Sequence, residues 1–159
     1  MKKFFKYTLI MFAFIILISI SKNIKAATYG DLTYEVQDDG TISIIDCNEN
    51  VSGNLTIPSE IDGKKVTNIS NVAFYGCKNL TSITIPNGVT NIGNLAFYTC
   101  TNLVNINVST DNKVYSSENG VLFNKERTKI IVYLRGKENT SYTIPDGVTS
   151  VGGVCFPIL

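Results

Sequence analysis

The stretch that decides the fold is VTNISNVAFYGCKNLTSITIPNGVTNIGNLAFYTCTNL, residues 66–103. A shift of 23 residues aligns Val66 with Val89, and it also aligns nearly all of the remaining apolar positions. A later run, YTIPDGVTSVGGVCF at residues 142–156, repeats ITIPNGVTNIGNLAF at residues 83–97. Self-similarity at a fixed period of this size indicates a solenoid, in which each unit buries its apolar face against its neighbours.

Each unit has the pattern of one solenoid coil. Apolar and polar residues alternate along Leu80–Ile85, which is typical of a strand with one buried face. A Pro-Asn-Gly run at 86–88 then ends the strand, because proline cannot donate to a β-ladder and glycine tolerates positive φ. The run AFYTC at 96–100 places apolar side chains at the spacing of one or two helical turns. The sequence therefore predicts a β-rich (α/β-type) solenoid with short parallel strands, short helical turns and inserted β-hairpins.

The combination IP-x-x-VT-x-I-x-x-x-AF-x-x-C-x-x-L resembles the BspA-like leucine-rich repeats of secreted and surface proteins from bacteria and some protozoa. The resemblance covers Leu32–Phe156. It implies a leucine-rich repeat fold and a scaffold that presents a ligand-binding surface. It does not imply which ligand, because function resides in sites carried by a fold rather than in the fold itself.

The first residues have the three parts of a secretory signal peptide. Lys2, Lys3 and Lys6 precede an apolar run, and a polar stretch then ends at two alanines. The run from Tyr7 to Ile20 is short for a membrane-spanning helix, which needs about 20 residues. We predict cleavage after Ala26, with cleavage after the next alanine or an uncleaved anchor as alternatives. The membrane is then a partner only during export, and the product is secreted, with or without association with the cell surface.

The remainder reads as one leucine-rich repeat domain, residues 27–159. A hairpin is predicted where apolar residues alternate around Asp38-Asp39-Gly40, and a second where Val121–Phe123 and Ile130–Leu134 flank a polar turn. The last unit stops soon after Phe156, which predicts a truncated array, an edge that needs a partner, or simply a frayed coil. The predicted division is a capping hairpin at 27–54, two repeats at 55–102, a long variant repeat at 103–140 and an incomplete repeat at 141–159.

Composition excludes several classes of function. Beyond residue 26 the chain has nine basic and thirteen acidic residues, so it lacks the excess of positive charge that is typical of nucleic-acid-binding proteins. Histidine is absent, so Ser-His-Asp and Cys-His catalysis and His-containing zinc sites are excluded. The carboxylates fall in predicted turns, where we expect them to be solvated rather than paired for glycoside hydrolysis. They are Asp38, Asp39, Asp46, Glu49, Glu60, Asp62, Asp111, Glu118, Glu126 and Asp146. We predict no cofactor, no metal site and no enzymatic activity.

The four cysteines lack the Cys-x-x-Cys spacing of a zinc site. Cys77 and Cys100 share one repeat position, so we expect them to stack as a ladder of reduced thiols in the core, with a disulfide between them as the alternative. Cys47 and Cys155 lie at opposite ends of the array and are not expected to pair.

The outward residues of the strands form a polar, uncharged stripe on the expected concave face. This stripe is the predicted ligand-binding site and consists of Thr56, Ser82, Thr84, Asn105, Asn107, Ser141 and Thr143. It has no aromatic or arginine anchor of the kind that dominates binding energy at interfaces. Tyr75 and Tyr98 also share a repeat position, where we expect them to stack, half exposed, mainly as packing residues.

These features predict a non-catalytic module that binds a protein or glycan ligand, such as a host surface or matrix component, in adhesion. The alternative is a truncated structural fragment of a larger cell-envelope protein that self-associates through its uncapped C-terminal edge. A secreted hydrolase is the third class, and the sequence offers no catalytic constellation for it.

Overall fold

The computed structural model describes residues 25–134 and 141–152. Over these residues the chain is a β-solenoid of about five turns. The strands are β1 (Ala27–Tyr29), β2 (Leu32–Val36), β3 (Ile42–Cys47), β4 (Gly53–Thr56), β5 (Glu60–Ile61), β6 (Lys64–Ile69), β7 (Leu80–Ile85), β8 (Asn91–Ile92), β9 (Asn105–Val108), β10 (Tyr115–Glu118), β11 (Val121–Asn124), β12 (Lys129–Val132) and β13 (Ser150–Val151). No helix occurs in these two ranges, so none there could cross a membrane.

The N-terminal hairpin forms where it is predicted. β1, β2 and β3 are antiparallel neighbours, and Gly40, with φ +82°, lies in the turn between β2 and β3. The last of these strands then pairs in parallel with β6, so that Ile42 lies opposite Val66 and Ile44 opposite Ile69. All four of these side chains are fully buried. The hairpin therefore covers the apolar end of the first coil and supplies a strand in register with it.

Two parallel ladders hold the repeats together. One runs from β3 through β6 to β8, and the other runs from β4 through β7 to β9. In the second ladder Leu55, Ile83 and Ile106 lie opposite one another. Because equivalent residues of successive coils align in this way, each apolar repeat position becomes a column of the core.

The segments that connect the first ladder to the second do not form the helical turns that the sequence predicts. Residues 70–79 and 93–102 form successive turns closed by i→i+3 bonds, such as Tyr75 N–H to Val72 O at 2.9 Å. The N–H groups of alternate residues in the first of these segments bind the next coil: Val72 donates to Asn94 O, Phe74 to Ala96 O and Gly76 to Tyr98 O, at 2.8–3.2 Å. An α-helix would direct these N–H groups back along its own axis. Here they join one coil to the next, which satisfies the backbone of the stack.

The long variant coil contains the predicted second hairpin and one more. β10 and β11 meet at Asn119-Gly120, where both residues have positive φ, as a type I′ hairpin turn requires. β11 and β12 are also antiparallel, and their connection is the polar turn that the sequence predicts. β13 then pairs in parallel with β12, so the array continues in register.

The buried side chains of the described residues form two clusters. The larger runs from Leu32 in β2 to Leu134 after β12. At its centre the rings of Phe74 and Phe97, from successive coils, stack with centroids 5.4 Å apart. The smaller consists of Val121, Phe123, Ile130 and Tyr133 in and after the second hairpin. The predicted signal peptide up to residue 24 and the last repeat from residue 153, including Cys155, lie outside the described residues.

Candidate functional site

The strands β4, β7 and β9 present a polar face, which we call the polar sheet face. It consists of Asn54, Thr56, Ser82, Thr84, Asn105 and Asn107. Two columns cross the sheet, one from Asn54 through Ser82 to Asn105 and the other from Thr56 through Thr84 to Asn107. Part of this polarity is used within the face, because Asn107 Nδ2 donates to Ser82 Oγ at 3.1 Å.

The structure brings together five of the seven residues that the sequence predicts for ligand binding. Thr56, Ser82, Thr84, Asn105 and Asn107 are the members that lie on the polar sheet face. The other two, Ser141 and Thr143, are exposed but lie outside any strand. Asn54 is the member that the sequence analysis omits. Its alternation with the inward Leu55 is the signal that could have identified it.

The turns at residues 70–79 and 93–102, which we call the turn side, expose apolar rather than polar side chains. Val72, Tyr75, Leu95 and Tyr98 form an exposed apolar ladder, which contributes one aliphatic and one aromatic side chain from each of two coils. Their relative exposures are 46%, 49%, 55% and 40%. The two tyrosine rings stack with centroids 6.0 Å apart and an interplanar angle of 26°. The predicted stacking and half exposure are confirmed, and the exposed part of each ring is accessible to a partner.

Backbone geometry explains why Val72 and Leu95 are exposed. Both have positive φ, 55° and 57°, a conformation that is unusual for residues other than glycine, asparagine and aspartate. The following residues, Ala73 and Ala96, are directed into the core and are buried. The sequence does align Val72 with Leu95, but apolar identity alone gives no reason to place them outside.

A groove of about 230 Å³ adjoins the exposed apolar ladder. Leu95 and Tyr98 of the ladder form part of its wall, together with the backbone around Gly93. The opposite wall comes from β12 and includes Ile131, while Lys129 places a positive charge beside these apolar surfaces. The ladder and the groove thus form a continuous surface with aromatic, aliphatic and cationic components.

The ionisable residues are arranged as surface groups. All ten carboxylates named in the sequence analysis are exposed, as predicted. The hydroxyl and N–H of Thr41 donate to Asp39 and lower the pKa of that carboxyl. Asp62 accepts from Tyr34 Oη at 2.9 Å, which raises the pKa of the tyrosine. In the described ranges, no group of three or more His, Cys, Asp and Glu residues could hold a metal ion.

The described cysteines are buried thiols. No disulfide joins Cys77 to Cys100 in this structure, and the Cys100 thiol donates to Phe74 O at 2.9 Å. Cys47 is a neighbour of Cys77 that the sequence did not predict, because both thiols lie 3.9 Å from the carbonyl oxygen of Asn48. The interaction between the two thiols raises the pKa of Cys47 and lowers that of Cys77.

Comparison with known proteins identifies the repeat. The model of a protein family described as "BspA type Leucine rich repeat region" matches residues 47–135 in six copies. No curated protein matches the chain at a significant level.

Solved bacterial structures share the fold. A leucine-rich repeat protein from Eubacterium ventriosum is 20% identical, with a TM-score of 0.51 over 80% of this chain and 56% of its own. A leucine rich cell surface protein from Faecalibacterium prausnitzii is 26% identical, with a TM-score of 0.53 over 82% of this chain and 33% of its own. A leucine-rich repeat protein from Bacteroides capillosus is 24% identical, with a TM-score of 0.51 over 80% of this chain and 96% of its own. This chain therefore spans about half of the first protein and a third of the second.

Proposed function

The chain belongs to the BspA-type leucine-rich repeat proteins, and on that premise we propose that it is a non-catalytic module that binds a protein partner outside the cell, in adhesion. The observation that carries the proposal is the exposed apolar ladder. Four large apolar side chains on adjacent coils are exposed, and two of them, Tyr75 and Tyr98, stack on one another, whereas exposed apolar residues on a monomer are more often scattered singly.

The chemistry of the ladder favours a protein over other ligands. Tyrosine is enriched among the residues that contribute most to binding at protein interfaces, because it buries a large apolar area at a low cost in conformational entropy. Tyr75 and Tyr98 already restrain one another by stacking. The groove next to Tyr98 could receive a side chain of the partner, and Lys129 would favour an acidic or hydrogen-bonding group there.

The polar sheet face is the second candidate contact. Its side chains are small and uncharged, and Asn107 is already hydrogen-bonded to Ser82. A ligand would have to replace that bond with one of its own, so its net gain would be small. We propose that this face, with Ser141 and Thr143 beyond it, contributes weak contacts, while the ladder carries most of the affinity.

Surface plasmon resonance with purified extracellular-matrix glycoproteins tests the proposal. Each glycoprotein is presented in intact and in enzymatically deglycosylated form. We expect binding to at least one of them, and we expect it to survive deglycosylation. The double variant Tyr75→Ser/Tyr98→Ser should weaken that binding at least about tenfold. The matched control Ser82→Ala/Asn107→Ala removes two side chains of the polar sheet face and should change the affinity about twofold or less.

The possible outcomes identify which surface of the protein binds and whether the ligand is a protein or a glycan. Loss of binding only in the polar variant would reject the ladder and favour the sequence-predicted site. Loss on deglycosylation would identify a glycan ligand. Absence of binding to every glycoprotein, with circular dichroism showing folded protein, would overturn the matrix-binding proposal.

Export is part of the same proposal. Cleavage after Ala26 would leave β1 intact, with Ala27 paired to Tyr34, which supports the choice of that cleavage site. The intact mass of the protein from culture medium and cell envelope tests it. A mature chain that starts at Ala27 is the expected result, and an uncleaved chain confined to the membrane would overturn it.

The alternative function is structural. Self-association through the C-terminal edge would involve residues after Gly152, which lie outside the described residues. Sedimentation velocity over a hundredfold range of concentration distinguishes a binding module from a self-associating structural fragment. We expect a monomer throughout, and dimers that form in the absence of any ligand would favour the structural fragment.

A further inference from the structure

The two thiols at the junction between the N-terminal hairpin and the first coil are held together. Cys47 Sγ and Cys77 Sγ each lie 3.9 Å from the same carbonyl oxygen, that of Asn48. The two thiols also lie close enough to interact electrostatically with each other. Both side chains are buried, with 2% and 0% of their surface exposed. We propose that Cys47 and Cys77 are a disulfide-forming pair that joins the hairpin to the first coil in the exported protein.

The third described cysteine is held differently. The Cys100 thiol donates to Phe74 O at 2.9 Å, whereas that of Cys77 is directed towards Asn48 O. The two cysteines of the repeat position therefore approach different carbonyl groups. Cys47, which lies outside the repeat pattern, is the thiol that meets Cys77.

The chemistry is thiol–disulfide exchange with an external disulfide, either a small molecule such as glutathione disulfide or an exported oxidoreductase. The thiolate of Cys77 attacks one sulfur of that disulfide, forms a mixed disulfide and releases one thiolate. The thiolate of Cys47 then attacks Cys77 Sγ, closes the protein disulfide and releases the second thiolate. One external disulfide is reduced to two thiols, and these take up the two protons that the cysteines lose. The same balance holds if Cys47 attacks the external disulfide first.

Burial determines when this reaction occurs. With almost no exposed sulfur, the folded protein offers no path for an external disulfide. The pair should therefore oxidise while the chain folds, before the hairpin closes over the first coil. An exported chain meets an oxidising compartment at that stage, so the biological setting, though not the pairing itself, rests on the proposed export.

Tryptic mapping tests the pairing, because lysines separate all the cysteines. In the mature chain that starts at Ala27, cleavage after Lys64, Lys65, Lys78 and Lys113 places Cys47, Cys77 and Cys100 in peptides 27–64, 66–78 and 79–113. The protein is refolded with reduced and oxidised glutathione, alkylated and digested. We expect peptide 27–64 to be linked to 66–78, with a loss of about 2 Da from the intact mass. The variant Cys100→Ala/Cys155→Ala should give the same link, and Cys47→Ala should abolish it.

The consequence for stability provides a second readout. Reduction of the linked protein should lower the thermal midpoint by about 5 °C or more, and the same reductant should leave the midpoint of Cys47→Ala unchanged. Oxidant added only after folding should give little product. A link between peptides 66–78 and 79–113, or full alkylation of every cysteine after oxidative refolding, would overturn the proposal. None of these results depends on whether the chain binds a partner.

Discussion

Asn112 joins the long variant coil to the coil before it, and its replacement by alanine tests how the coils are held together. The side chain is fully buried and uses its whole hydrogen-bonding capacity. Nδ2 donates to the carbonyl oxygens of Pro86 and Val89, both at 2.9 Å. Oδ1 accepts from the N–H groups of Val114 at 2.9 Å and Tyr115 at 2.8 Å.

The expected loss follows from these four bonds. At a net value of about 1 kcal/mol each, with water entering to compensate in part, Asn112→Ala should lower the free energy of unfolding by about 3–4 kcal/mol. Urea denaturation followed by circular dichroism measures this free energy. Asn107→Ala is the matched control, because its amide makes one bond on an exposed face and should cost about 0.5 kcal/mol or less.

An isosteric variant sharpens the test. In Asn112→Asp a carboxylate oxygen would replace Nδ2 against the carbonyls of Pro86 and Val89, so both donations are lost and a charge is buried. Burial beside these acceptors raises the pKa of the carboxyl in the folded state. The missing stability is therefore partly restored below the unfolded pKa of about 3.9 and is lost as the pH rises through the higher folded pKa. If Asn112→Ala costs no more than Asn107→Ala, the idea that this side chain clamps the coils is wrong.

Three further perturbations test the packing. In Gly93→Ala the new Cβ would lie 2.3 Å from the backbone nitrogen of Asn71, so the coils must separate, and the urea midpoint should report a loss of about 2–3 kcal/mol. In Tyr115→Phe the hydroxyl bonds to the preceding coil are lost, at about 1 kcal/mol near neutral pH. Burial raises the pKa of Tyr115, so its contribution holds up to about pH 10 and falls as the pH rises further; the variant should show a shallower alkaline loss of stability. Glu118→Gln removes the charge from an exposed ion pair with Arg127 and leaves the contact of Arg127 with the Phe123 ring in place, so it should change stability by about 1 kcal/mol or less; a larger effect would mean that this pair is not screened by solvent.

The repeat register made the strands and the core predictable. Ile83 and Ile85 alternate with polar residues, and both are fully buried in β7. The same alternation located the hairpin whose Ile42 and Ile44 cover the first coil. These positions were predictable because the alternation of apolar and polar residues, which indicates the buried face of a strand, can be read from the sequence.

The conformation of the turns at residues 70–79 and 93–102 was not predictable in the same way. Ala96, Phe97 and Cys100 are buried both in a helical turn and in the turns that form, so the apolar pattern does not distinguish the two. The difference lies in the backbone, where Phe74 N–H donates to Ala96 O of the next coil. Such a bond exists only after the coils have stacked, and it leaves no signature in the sequence of one coil.

Asn112 shows the same limit for polar residues. In the sequence it belongs to the run STDNK, which reads as a solvated turn. Its burial depends on carbonyl groups 23 and 26 residues earlier, at Val89 and Pro86. A local pattern cannot indicate that a neighbouring coil will offer two acceptors at that point.

The alignment of the candidate surfaces was predictable, but the choice between them was not. Equivalent repeat positions align across coils, so Thr84 does lie beside Asn107, and Tyr75 does stack on Tyr98. Alternation of polar and apolar residues favoured the strand face as the site, because alternate side chains of a strand point outward. The exposure of Val72 and Leu95, which both have positive φ, follows from no periodicity rule.

The two surfaces therefore differ in what they leave for a partner. On the polar sheet face, Asn107 already donates a hydrogen bond to Ser82 of the neighbouring coil. On the turn side, the backbone bonds between coils run beneath the side chains, and the rings of Tyr75 and Tyr98 remain exposed. Burial of these rings by a partner would release water from apolar surface without breaking a bond between coils. A stack of this kind can thus gain binding energy on its turn side without weakening the array, and for that reason we place the main contact there.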